Sequence, residues 1–293
     1  MDNISKIKFY IPYLYFFIVH ARTSSRMISW MLIYTVPVFI YVSLFSEDTI
    51  YKTFLVFTIL TTVIYNFYEI GYINNDTETI KNEKCPTMRL SSFELIYYEE
   101  NKLFIYLFRL LLGITLIICT YYLTKEIDYN INLLLFSLLM FLMLLTYKIY
   151  NSVRSKLNII VSLILSTFRY SSITLSIICV DYTVTLLLII FIFPFVNLIN
   201  WLAKPKYKIE FAIKYFKNIE LIRVLYYFIL SIVLGVLYKV FDDDIILIFM
   251  YVSIYYLSLR IGYYILMKNN NKINKSVNYA RKTKYYGDSN DKK

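Results

Sequence analysis

The chain is poor in the residues that build loops and polar sites in soluble proteins. Its 293 residues include 5 glycines, 5 prolines, 3 cysteines and 1 histidine. So little glycine and proline excludes a collagen-like or loop-rich chain. Cys85, Cys119 and Cys179 form no CxxC or Cys/His cluster, which excludes a thiolate zinc site and a disulfide framework. The lone His20 has no histidine partner for a metal and reads as a structural residue beside a membrane interface. Charge is scarce too. Asp, Glu, Lys and Arg make up 17% of the chain, against about 25% in soluble domains.

Apolar residues take their place. They reach 59%, with 32 tyrosines and 22 phenylalanines, and the mean hydropathy is +0.56. An ordinary soluble enzyme and a disordered chain are both excluded. A membrane helix needs about 20 mostly apolar residues. Eight runs qualify: 27–45, 52–68, 103–123, 131–147, 157–180, 182–202, 221–238 and 245–267. The stretch 8–20 is shorter, contains Pro12, and is followed by no small-residue cleavage pattern. It reads as an interfacial helix. The expected fold is all-α, a polytopic membrane bundle of about eight helices. It is organised as an interfacial N-terminal segment (1–26), a transmembrane domain (27–267) and a basic tail (268–293).

The formal charge of +11 is distributed by loop. Lys6, Lys8, Arg22 and Arg26 precede the first span. Later loops on the same side carry Lys81, Lys84, Arg89 and Lys102, then Lys148, Arg154 and Lys156, then Lys204, Lys206, Lys208, Lys214, Lys217 and Arg223. The alternate loops hold only Lys52, Lys125 and Lys239, beside acids such as Asp242, Asp243 and Asp244. Excess Lys and Arg mark the cytoplasmic side, so the pattern predicts eight spans in the cytoplasmic (inner) membrane with both termini cytoplasmic. The charge thereby reports topology and requires no nucleic acid. The basic tail is open to two readings, contact with anionic lipid or a solvated end.

Three arginines fall inside spans. Arg109, Arg169 and Arg260 lie roughly 9, 18 and 11 Å from the cytoplasmic side at about 1.5 Å of rise per residue. For the two shallower ones two readings stand equally, snorkelling to the headgroups or facing a bundle interior or watery cavity. Arg169 is too deep, and Ser166, Thr167, Ser171, Ser172 and Thr174 surround it in the most polar span. It therefore reads as bundle-facing and suited to binding a phosphate through paired hydrogen bonds.

The loop after the second span places acids and amides first (Asn66, Glu69, Asn74, Asn75, Asp76, Glu78) and basic residues after them (Lys84, Arg89). Carboxylates at such an interface suit Mg²⁺, which binds one or two carboxylates together with substrate phosphates. The other reading is an ordinary solvated loop.

This loop resembles the first signature of the UbiA-type intramembrane prenyltransferase superfamily, Asn-x-x-x-Asp-x-x-x-Asp followed by a basic stretch, Arg-Pro and Ser. In the decaprenyl-phosphate phosphoribosyltransferase-like branch, ten residues separate the last Asp from that Pro, as Asp76 and Pro86 are separated here. Lys84 and Cys85 take the place of the family's basic pair, and Ser91 falls near its Ser. Tyr68 and Tyr72 occupy the other two signature positions. Tyr147, Lys148 and Arg169 resemble the family's aromatic–basic pair and mid-span Arg. The second signature, in the 197–208 stretch, contains Asn197, Asn200, Lys204, Lys206 and Tyr207 but no aspartate. The family usually has nine spans.

The resemblance implies a transferase acting on an isoprenoid (polyprenyl phosphate) lipid with a diphosphate-activated donor, in cell-envelope polysaccharide synthesis. Asp76 and Arg169 are implied as catalytic residues. Glu69, Asp76 and Glu78 would be ligands for Mg²⁺, and Asn66, Lys84, Arg89, Lys204, Lys206 and Tyr207 would bind substrate. The alternatives are an inactive relative or a non-enzymatic membrane protein: a transporter, a flippase or an assembly subunit.

Overall fold

The computed structural model describes residues 3–82, 86–153, 155–177, 181–204, 207–216 and 218–269. The described residues form helices and no strand. Among the described residues seven helices are long and apolar enough to cross a membrane, or eight if the bent pair Tyr182–Ile192 and Pro194–Leu202 is one span. The protein is therefore an all-α, multi-span membrane bundle. The bend of 40° falls at Pro194, where the ring removes a backbone donor from the helix.

In chain order, α1 is Asn3–Ile7. A first span, Ser24–Phe45, joins α2 (Ser24–Trp30), a π-helical turn and α3 (Val36–Phe45). Then follow α4 (Ile50–Thr77), α5 (Ser92–Glu126), α6 (Leu133–Ser152), α7 (Leu157–Ile177), α8 (Tyr182–Ile192), α9 (Pro194–Leu202), α10 (Glu210–Tyr215), α11 (Ile219–Phe241) and α12 (Asp244–Asn269). Their starts are encoded locally. Ser91 and Glu94 form a reciprocal capping box at α5, and Asn132 and Asn218 cap α6 and α11 through their side-chain oxygens.

The chain divides into two compact units, one of residues 1–154 with 164–186, the other of 155–163 with 187–293. In the first, α4 is the central helix, packed by α3, α5 and α6. Two glycines permit the close approach: a Cβ on Gly71 would enter the ring of Tyr147, and one on Gly113 would enter Phe67. In the second unit, α11 and α12 pair along their length and α9 packs on α11. Leu103, Phe104, Leu107, Leu111, Ile114 and Ile118 on α5 remain exposed. Such an uninterrupted apolar face is suited to lipid, not water.

The 8–20 stretch differs from the expected interfacial helix. After α1 it turns, reaches a left-handed φ of 68° at Tyr13, and ends in a π-helical turn at Phe16–His20. Phe9 and Tyr15 have no exposed surface and pack with Ile73, Leu90, Tyr98 and Ile105. This N-terminal strap is embedded in the first unit because side chains from α4 and α5 satisfy its irregular backbone.

Candidate functional site

Three polar clusters lie in the first unit, and α4 supplies all of them. The innermost is built on Arg109, which has no exposed surface. Its Nη1 lies 3.0 Å from Glu69 Oε2. Its Nε donates to the carbonyl of Phe9 at 2.7 Å, and Nη2 donates to those of Lys8 at 3.2 Å and Ile11 at 3.5 Å. Glu69 in turn accepts the N–H of Phe16 at 2.6 Å. Asn66 donates to the carbonyl of Arg109 at 2.6 Å. Of the two readings of Arg109, the structure therefore supports the bundle-facing one over snorkelling. A carboxylate and three strap carbonyls hold the guanidinium inside, and it has no need of the headgroups.

The second cluster is built on Asp76, also buried. Its Oδ1 pairs with Arg89 Nη1 and accepts from Asn75 Nδ2 at 3.3 Å. Its Oδ2 accepts from Tyr15 Oη at 3.2 Å and lies 2.9 Å from His20 Nε2. Burial, and then the neighbouring carboxylate, hold the Tyr15 phenol well above its ordinary pKa, so it stays a donor. The His20 ring stacks on Tyr72, with centroids 4.1 Å apart. Glu78 makes a separate network with Lys102 at 2.5 Å, Lys81 at 3.1 Å and Tyr98 at 2.9 Å.

The third cluster is a tyrosine cage around Arg169. The guanidinium carbon lies 4.1 Å from the ring centre of Tyr34, 5.3 Å from Tyr65, 5.2 Å from Tyr68 and 5.8 Å from Tyr170. Its Nη2 donates to Tyr65 Oη at 2.6 Å, and Trp30 Nε1 donates to the same oxygen. Nε is enclosed without a hydrogen-bond partner. Among the described residues no carboxylate pairs with Arg169, which is half-buried. Ring faces stabilise a cation by about 0.5–2 kcal/mol each way of approach, but they leave its charge uncancelled.

Of the residues singled out in the sequence, Asp76 and Arg89 meet directly, and Asn66 and Glu69 meet through Arg109. Lys204 and Tyr207 belong to the second unit. There the Lys204 ammonium lies over the Trp201 ring, and Tyr207 is buried beside that ring. Lys84 and Lys206 lie outside the described residues. Ser91, matched to a signature serine, serves as the N-cap of α5.

The donor set argues against Mg²⁺ in this arrangement. Glu69, Asp76 and Glu78 each face protein cations, and the His20 and Arg89 nitrogens occupy both Asp76 oxygens. Among the described residues no three His, Cys, Asp or Glu gather as a metal site. The residues therefore do not fit a bound Mg²⁺ as they stand.

The sequence reading missed His20 and Tyr15 as partners of Asp76, and the tyrosine cage. Half of the cage had a readable signal: Tyr65 and Tyr68 stand three apart on α4, the spacing that puts side chains on one helix face. Comparison of the chain with protein families, with curated proteins and with solved structures finds no match.

Proposed function

We propose that the protein binds the phosphate of an isoprenoid lipid at Arg169. We further propose that it carries out the group transfer implied by the UbiA resemblance, with polyprenyl phosphate as the lipid and a diphosphate-activated compound as the donor. One observation carries this reading. A guanidinium deep in a span is held by four tyrosine rings and lacks a carboxylate among the described residues. A phosphate oxygen would complete its hydrogen bonds and cancel its charge, while the aromatic walls accept the first isoprene units. The Asp76–Arg89 pair, also on α4 through Asp76, would supply a second cation for the donor.

A second reading is favoured by the saturation of the three carboxylates with cations. In it, the same lipid phosphate binds and no transfer follows, as in a flippase or an assembly subunit.

The test supplies purified protein with polyprenyl phosphate, labelled phosphoribosyl pyrophosphate and Mg²⁺, with prenyl diphosphates as alternative donors. Lipid binding is read in parallel from Trp30 fluorescence. A labelled lipid supports transfer. Quenching without product from any donor supports the second reading. Absence of both discards the Arg169 site.

A further inference from the structure

The second unit carries charged residues that the reading above does not use. α11 and α12 run antiparallel, joined at Asp242 and Asp243. Two contacts set their register. Tyr227 stacks on Tyr256 with centroids 5.0 Å apart and planes at 10°, and Ser231 meets Ser253 at 2.7 Å. One turn further, that register sets Arg223 level with Arg260. Glu220 lies against both: its Oε1 accepts from Arg223 Nη1 at 2.6 Å, while its Oε2 is 3.6 Å from Arg260 Nη1. The second distance is too long for a hydrogen bond.

Glu220 and Arg260 are buried, with 5% and 9% of their surface accessible. Arg260 Nε and Glu220 Oε2 are both enclosed without a hydrogen-bond partner. Glu220 is committed to Arg223 through its other oxygen, so Arg260 holds a distant share of one carboxylate. An incompletely paired charge inside a span is costly. The Nε–Nη edge of a guanidinium is also the geometry that takes two oxygens of a phosphate. Arg260 lies nine residues, roughly 14 Å, from the end of α12. Leu225, Phe228, Ile229, Ile261 and Leu266 on the same two helices are exposed and apolar, a surface on which acyl chains can lie.

We infer that Arg260, with Arg223 beside it, is a phosphate site on the α11–α12 pair, and that it takes the headgroup phosphate of an anionic membrane phospholipid. It is independent of the Arg169 reading.

The experiment titrates delipidated full-length protein in detergent with phosphatidylglycerol, followed by native mass spectrometry. One saturable lipid per chain is expected. Arg260→Gln should weaken it at least tenfold, and Glu220→Gln, which removes the competing carboxylate, should strengthen it severalfold. Arg169→Gln should leave this lipid in place. Millimolar inorganic phosphate that displaces the lipid would assign the site to the phosphate group itself. Failure to displace would assign it to the intact lipid. Unchanged binding in Arg260→Gln, or loss of this lipid in Arg169→Gln, overturns the proposal. If Arg260→Gln does not fold, as judged by size exclusion, Glu220→Gln decides: weaker or unchanged binding refutes the site.

Discussion

Arg109 of α5 and Glu69 of α4 face each other at 3.0 Å, neither with any side-chain exposure. The carboxylate oxygen that faces the guanidinium makes no directed hydrogen bond, so charge holds the pair, while the remaining donors of Arg109 reach the carbonyls of Lys8, Phe9 and Ile11. One buried cation thereby fastens two helices and the N-terminal strap.

Removing one partner strands the other. Arg109→Ala should lower stability by about 3–5 kcal/mol, the range for breaking a buried pair. The double replacement Arg109→Met with Glu69→Leu should recover part of that loss. Thermal unfolding in detergent checks both. An Arg109→Ala protein as stable as the parent would show that the pair does not hold the unit together.

The strap should loosen from its other end as well. In Asp76→Asn, the Arg89 and His20 contacts lose a full negative charge on their shared partner. Backbone amides of residues 8–22 should then exchange with solvent at least tenfold faster, as read by hydrogen exchange with mass spectrometry, while α11 and α12 keep their protection. Equal exchange in the strap would assign its order to apolar packing alone.

The tyrosine cage makes a graded prediction. Arg169→Gln should abolish the Trp30 response to polyprenyl phosphate. Tyr65→Phe keeps the ring and loses the 2.6 Å hydrogen bond, so it should weaken binding severalfold. Tyr34→Ala removes the ring closest to the guanidinium and should weaken it tenfold or more. The same order in a binding isotherm supports the cage. Equal affinities across the series would remove Arg169 from the site.

Close helix packing is testable at the two glycines. Gly71→Ala drives a methyl group into Tyr147, and Tyr147 is itself buried against Tyr68 and Tyr72. Overpacking of this kind costs about 1–3 kcal/mol. Gly262→Ala meets nothing within 4 Å and serves as the control. The difference between their unfolding midpoints is the measurement.

Much of the architecture was legible in the order of residues, and particular elements show why. Apolar runs long enough to span a membrane must bond their backbone internally, which makes each one a helix regardless of its neighbours. Ser91 with Glu94, Asn132, Asn218 and Pro194 mark helix starts or a break by short-range chemistry. The site was legible only in part. Asp76 and Arg89 are close in sequence and meet. The 8–20 segment was expected as one helix, and its turns were not legible because the carboxylate and guanidinium that hold its backbone come from α4 and α5.

Helical character and the multi-span plan follow from the sequence alone, since lipid imposes the same local demand on every segment. Partner choice does not. That Arg109 takes Glu69, that His20 and Tyr15 take Asp76, and that Arg169 is enclosed by rings from three helices were decided by packing. Apart from Tyr170, which adjoins Arg169, each of these partners lies far away in the chain, and a charged side chain in a bundle is satisfied by whichever group the neighbouring helix brings within reach.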